Sequence, residues 1–186
     1  MFRLDAASGL LDEATQVSSP NCDERPAECS PGLIVVHGIS LPPGEYGGPW
    51  IDRLFTNTLP ADEHPYFAEI ADLRVSSHFL IRRDGSLTQY VPVTKRAWHA
   101  GESSFEGREC CNDFSVGIEL EGEDTIDYES VQYDSLAKLI TSLRKQLPGL
   151  VDAPVVGHSD IAPGRKTDPG EAFDWDRLHK LLSKQE

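Results

Sequence analysis

Leu33-Ile34-Val35-Val36-His37 runs apolar without a break, mostly β-branched, until it reaches a histidine. Such a run has no polar face to offer water, so it predicts a central strand covered on both sides. Further along, Phe114 to Glu121 alternates. Phe114, Val116, Ile118 and Leu120 fall on one face, and Ser115, Gly117, Glu119 and Glu121 on the other. Ser77 to Arg82 and Leu87 to Val91 flank Arg83-Asp84-Gly85-Ser86, a hairpin signal. Pro154-Val155-Val156 predicts a short strand ending at Gly157-His158. Pro49 and Pro65 can each open a short helix, the first turning Trp50, Leu54 and Phe55 inward, the second Tyr66, Phe67 and Ile70. Ser130 suits the cap of a helix of about 17 residues whose buried stripe is Tyr133, Leu136, Ile140, Leu143 and Leu147. A last helix from Asp174 gathers Trp175, Leu178 and Leu182 on one side. The irregular alternation around one hairpin predicts an α/β fold, a mixed central β-sheet flanked by helices on both faces.

The length of 186 residues suits one domain spanning 1–186, with 1–31 as an irregular arm packed on it. A formal net charge of −14 repels phosphate backbones, so nucleic acid is not an expected partner. Met1 to Glu13 mixes Arg3, Asp5, Asp12 and Glu13 among apolar residues, unlike a signal peptide, and no later run could span a bilayer. A cytoplasmic monomer without membrane contact is expected. Cys110 and Cys111 are adjacent, and Cys22 and Cys29 lie in a polar stretch. No CxxC-like spacing is present, so all four are expected as free thiols.

Two histidines share one local setting, His37 after Ile34-Val35-Val36 and His158 after Val155-Val156-Gly157. Side chains at strand ends project into the crevice at the sheet edge. Asp168 follows in Arg165-Lys166-Thr167-Asp168-Pro169-Gly170. Two imidazoles and a carboxylate would give zinc three protein ligands and leave a fourth position for water. By spacing alone the same residues also suit hydrogen-bonded strand ends and a turn before proline. Glu119 equally suits an exposed acid on an edge strand. It shares its face with Gly117, whose missing side chain leaves room for substrate or metal.

Ordered blocks along the chain carry a resemblance. They are His37-Gly38-Ile39-Ser40-Leu41-Pro42-Pro43-Gly44, then Ser76-Ser77-His78-Phe79-Leu80-Ile81 with Arg83-Asp84-Gly85, then Arg96-Ala97-Trp98-His99-Ala100-Gly101. Asn112 to Gly122 and Gly157 to Gly170 complete the set. Together they resemble the type 2 N-acetylmuramoyl-L-alanine amidases, which share a fold with peptidoglycan recognition proteins. Within that family the chain is most similar to the cytoplasmic branch that acts on 1,6-anhydro-N-acetylmuramyl peptides in cell-wall recycling. The resemblance implies zinc held by His37, His158 and Asp168, with Glu119 and Lys166 catalytic. Glu119 would take a proton from the attacking water and pass it to the leaving alanine nitrogen. Lys166 would steady the oxyanion. Trp98 offers an apolar plate for a sugar ring and equally suits core packing, and His99 is expected along the sugar site. Arg74 resembles the family position that holds a stem-peptide carboxylate, and Arg108, close in sequence to the Glu119 strand, is a second basic candidate. His78 is expected to be structural, and His64 and His179 to lie at helix ends or on the surface.

Two positions depart from the family pattern. Gly38 stands where relatives usually carry Asn, which removes one hydrogen bond to substrate and loosens the loop Gly38 to Gly48. Cys110 stands where some relatives carry Arg. The alternative reading is a non-catalytic muramyl-peptide-binding module, usually one that has lost a zinc ligand; here every ligand position holds His or Asp. A secreted wall-lytic amidase is disfavoured by the start of the sequence.

Overall fold

The computed structural model describes residues 1–184. Its strands are β1 (Leu4–Asp5), β2 (Leu10–Leu11), β3 (Thr15–Gln16), β4 (Cys22–Glu24), β5 (Leu33–Ile39), β6 (Phe79–Ile81), β7 (Leu87–Gln89), β8 (Lys95–Ala97), β9 (Ser104–Phe105), β10 (Arg108–Glu109), β11 (Ser115–Glu121) and β12 (Val155–Gly157). The helices are α1 (Trp50–Phe55), α2 (Pro65–Ile70), α3 (Ser130–Gln146), α4 (His158–Ile161) and α5 (Trp175–Ser183). Six strands form one sheet in the order β12-β5-β11-β6-β7-β3. β6 and β7 pair antiparallel as the hairpin requires, while the pairs β12–β5, β5–β11 and β11–β6 are parallel, so the sheet is mixed as expected.

Each face of the sheet is covered. On one, Ile34, Val36, Val116, Ile118 and Leu120 meet Tyr133, Leu136, Ile140 and Leu143 of α3 and Leu178 and Leu182 of α5. This is the main core, and its area is the chief source of stability. The other face carries two smaller clusters. Leu80 packs with Ile51, Leu54 and Phe55 of α1 and Phe67 of α2; Leu33 and Val35 pack with Phe114 and Ile161. Between these apolar patches the same face presents His37 and Glu119, both buried. A polar strip held between two packed clusters is where function is to be sought.

Four expectations need correction. β5 continues through His37 to Ile39, so the first histidine sits inside the strand and not at its end. Phe114 does not share the α3 face with Val116: its ψ of 13° breaks the extended alternation and drops the ring among Leu33 and Val35. The N-terminal arm is not irregular. It contains β1 to β4, and β3 forms the outer strand of the sheet beside β7. Glu129, not Ser130, caps α3, and the Glu129 amide donates to Gln132 Oε1 at 2.9 Å.

His78, just before β6, has a structural setting. The Gly117 amide donates to its Nδ1 at 3.0 Å, so its proton sits on Nε2 and is donated to the Lys95 carbonyl at 3.1 Å. Burial first, and then the Arg25 guanidinium, push its pKa down to about 3. In the unfolded chain the same imidazole protonates near 6.5. Between those values only the unfolded state binds the proton, so stability is lost as pH falls through that window. His37, pushed down by burial to about 4, acts with the same sign. Urea unfolding at pH 4.5 should therefore give a free energy about 2–3 kcal/mol lower than at pH 7 from His78 alone. His78→Gln should flatten that dependence; an unchanged slope would show that His78 does not carry it.

Candidate active site

β5 and β11 lie in parallel register that pairs Glu119 with His37. Neighbouring strands are about 4.8 Å apart and paired residues share a face, so the acid and the imidazole rise side by side. His158 arrives from the next strand over. β12 pairs with β5 as far as Gly157, and the chain then turns into α4 with His158 as its first residue. Asp168 returns on the following loop, where the Ser159 amide donates to its carbonyl at 3.0 Å. The Tyr128 hydroxyl holds the same loop by donating to the Pro169 carbonyl at 2.9 Å.

Three side-chain atoms close a small triangle. His37 Nδ1 lies 3.0 Å from His158 Nδ1 and 3.2 Å from Asp168 Oδ2, and His158 Nδ1 lies 3.1 Å from that oxygen. His158 Nε2 faces the Ala100 carbonyl at 3.1 Å. A carbonyl only accepts, so the neutral ring donates there and keeps a lone pair at Nδ1. Acceptors this close repel one another unless a cation sits among them. An ion with tetrahedral bonds of about 2.0–2.1 Å spaces its ligand atoms about 3.3 Å apart, so edges of 3.0–3.2 Å need only a slight spread. Two imidazoles and one carboxylate are the donors of an open zinc site. The residues therefore fit the metal that the sequence implies.

The electrostatics agree. Burial disfavours the charged form of His37 and, still more, of His99, which lies well below its usual range. Burial also works against the Asp168 carboxylate, but the His158 and His37 side chains beside it hold it below the ordinary carboxylate range. Glu119 goes the other way. Burial first and the Asp168 charge second push it well above a normal glutamate, with Lys166 opposing. A carboxylate of raised pKa is a stronger base, which suits a proton acceptor.

His37, Glu119, His158, Lys166 and Asp168 all line one cavity of about 290 Å³ together with Trp98 and His99. Its apolar wall includes Leu54, Phe55 and Tyr66. Trp98 is fixed by the pairing of β4 with β8: its indole N–H donates to Asp23 Oδ1 at 3.2 Å, and Asp23 is itself paired with Arg96 at 2.5 Å. Neither arginine of the expected substrate set lines the cavity. Arg74 donates to the Ala71 and Leu73 carbonyls at 3.3 and 3.2 Å, at the rim between the lining residues Leu73 and Val75. Arg108 lies over the Phe114 ring at 3.9 Å and reaches Cys29 Sγ at 3.0 Å. His64 caps α2 through Nδ1, and His179 is exposed on α5. The space left by Gly117 does not open to the cavity: a Cβ there would lie 2.5 Å from the His99 ring, which fills it. In the loop after Gly38, the Gly47 amide donates to the buried Glu121 carboxylate at 2.6 Å. Tyr66, expected only as helix packing, lines the cavity. Its place in an apolar stripe gave no sign of that.

A sequence profile described as N-acetylmuramoyl-L-alanine amidase matches residues 28–171. The chain is 59% identical over 177 residues to the 1,6-anhydro-N-acetylmuramyl-L-alanine amidase AmpD of Escherichia coli K12, covering 95% of this chain and 96% of that one. It superposes on the crystal structure of a selenomethionine derivative of AmpD with a TM-score of 0.93 at 58% identity, covering 97% of this chain and 99% of that one. It is also similar, at a TM-score of 0.57 and 26% identity, to the E. coli amidase AmiD in complex with the substrate anhydro-N-acetylmuramic acid-L-Ala-D-gamma-Glu-L-Lys, covering 96% of this chain and 65% of that one.

Proposed function

The chain belongs to the N-acetylmuramoyl-L-alanine amidase family, and on that premise we propose that it hydrolyses the amide bond between 1,6-anhydro-N-acetylmuramic acid and L-alanine in small muropeptides, with one zinc ion held by His37, His158 and Asp168. The observation that carries the reading is the triangle of acceptor atoms 3.0–3.2 Å on edge, set in one cavity with Glu119 and Lys166. A binding module without catalysis would have no use for a complete donor set beside a buried acid. The whole chain acts as one domain, a monomer in the cytoplasm. Among the described residues no helix is long and apolar enough to cross a membrane.

Zinc, when bound, supplies a Lewis acid for the amide carbonyl and lowers the pKa of water. This chain's residues do the rest. Glu119, raised above the normal glutamate range, accepts a proton from the attacking water and delivers it to the leaving alanine nitrogen. Lys166, exposed at the mouth of the cavity, brings its ammonium to the oxygen that gains charge. Trp98 offers its face to the sugar, and Arg74 at the rim takes a carboxylate of the stem peptide. Arg108 is left out of this set because its guanidinium is engaged on Phe114.

A surface of net charge −14 gives no attraction to an anionic wall polymer, so small soluble substrates are favoured over the polymer. Zinc-loaded protein should release peptide from a purified anhydromuramyl tripeptide at a much higher initial rate than from intact sacculi. Trp98→Ala should slow the first reaction without changing zinc content. Faster release from sacculi would end the recycling role while leaving the amidase chemistry in place.

A further inference from the structure

His37 has a second ring nitrogen, and what it faces decides whether the first can bind a metal. His37 Nε2 lies 2.9 Å from His99 Nδ1, and His99 Nε2 lies 3.0 Å from Ser115 Oγ. Ser115 Oγ in turn lies 2.6 Å from the Cys111 carbonyl. The order of donors follows from the far end. A carbonyl only accepts, so the single hydroxyl proton of Ser115 goes to Cys111. Ser115 Oγ must then accept from His99, which places the His99 proton on Nε2. His99 Nδ1 is left as a lone pair and accepts from His37 Nε2. The last proton is therefore fixed on the outer nitrogen of His37, and Nδ1 is bare toward His158 and Asp168.

We infer that His99 and Ser115 are positioning residues which hold His37 in the metal-binding tautomer through this chain of hydrogen bonds. The inference rests on the zinc reading above and deepens it. Both ring nitrogens of His99 are used within the protein, so the edge it turns to the cavity has no polar atom free for a sugar. Its role as a polar substrate contact is replaced by one behind the ligand. Gly117 belongs to the same device, because any side chain there would displace the His99 ring. Partners of this kind orient metal-bound histidines, and their loss weakens metal affinity by about 10–100-fold.

The test measures zinc affinity by competition with a chelator and the His37 tautomer by nitrogen-15 NMR of the zinc-free protein. His99→Leu removes the acceptor and should weaken zinc binding about 10–100-fold, with the His37 proton no longer confined to Nε2. His99→Asn puts an oxygen where Nδ1 stood and should recover most of the affinity. Ser115→Ala leaves the ring in place and should weaken binding in the same direction; it carries the test if His99→Leu does not fold. Gly117→Ala should do likewise without removing any hydrogen-bonding group. Wild-type zinc affinity and an unchanged His37 tautomer in both His99→Leu and Ser115→Ala would overturn the relay, as they would in Ser115→Ala alone where His99→Leu is unfolded. Absence of zinc binding in the wild-type protein would instead overturn the metal reading beneath it.

Discussion

Glu119→Gln is expected to lower turnover of an anhydromuramyl peptide at least about a hundredfold, the ordinary scale of general acid–base catalysis, while zinc content stays at one per chain. The two effects separate because Glu119 is not among the three atoms of the triangle. Its burial gives the prediction a second arm. The folded state holds the Glu119 carboxylate at a pKa well above its ordinary value, so ionisation at neutral pH costs folding free energy. The neutral amide of similar volume removes that cost, and the variant should melt no lower than the parent. A folded, zinc-replete, inactive and undiminished variant is the signature of a group kept for chemistry at the expense of stability. Near-normal turnover in Glu119→Gln would return the residue to a packing role. Lys166→Ala should lose activity on a similar scale, without the stability gain, because Lys166 is exposed.

His158→Ala attacks the other half of the site. It removes one of three donors and the bond that fixes its ring on the Ala100 carbonyl. Bound zinc should fall from one per chain to a small fraction after dialysis against a weak chelator. Activity should fall at least about a thousandfold, since the metal contributes several kcal/mol to the transition state. Trp98→Ala, measured beside it, should keep its zinc. Equal metal content in His158→Ala and wild type would remove His158 from the ligand set.

Much of this is legible in the sequence, for reasons tied to particular residues. β5 and α3 announce themselves because burial on two faces or one stripe leaves a long periodic trace. β1, β2 and β3 are two residues each, too short for any period to register. Alternation assumes extended backbone, and the ψ of 13° at Phe114 makes it start one residue later, at Ser115. The sequence offers the proposed ligand residues, but not the register that sets Glu119 beside His37, since parallel neighbours here come from distant parts of the chain. Ser115 sat in view on the same face as Glu119. What hid its role was the need to know that Cys111 turns its carbonyl to that hydroxyl and that His99 fills the gap over Gly117.

His37 and Asp168 lie 131 positions apart, yet their ligand atoms are 3.2 Å from each other. An ion shared between them would be a reversible cross-link, closing a ring through most of the chain without a disulfide. Such a staple binds only the folded chain, so its strength adds to stability in proportion to the logarithm of free zinc over its dissociation constant. The loop that brings Asp168 also carries Lys166. On the proposed reading, metal supply would then set how often the site is assembled as well as how fast it works.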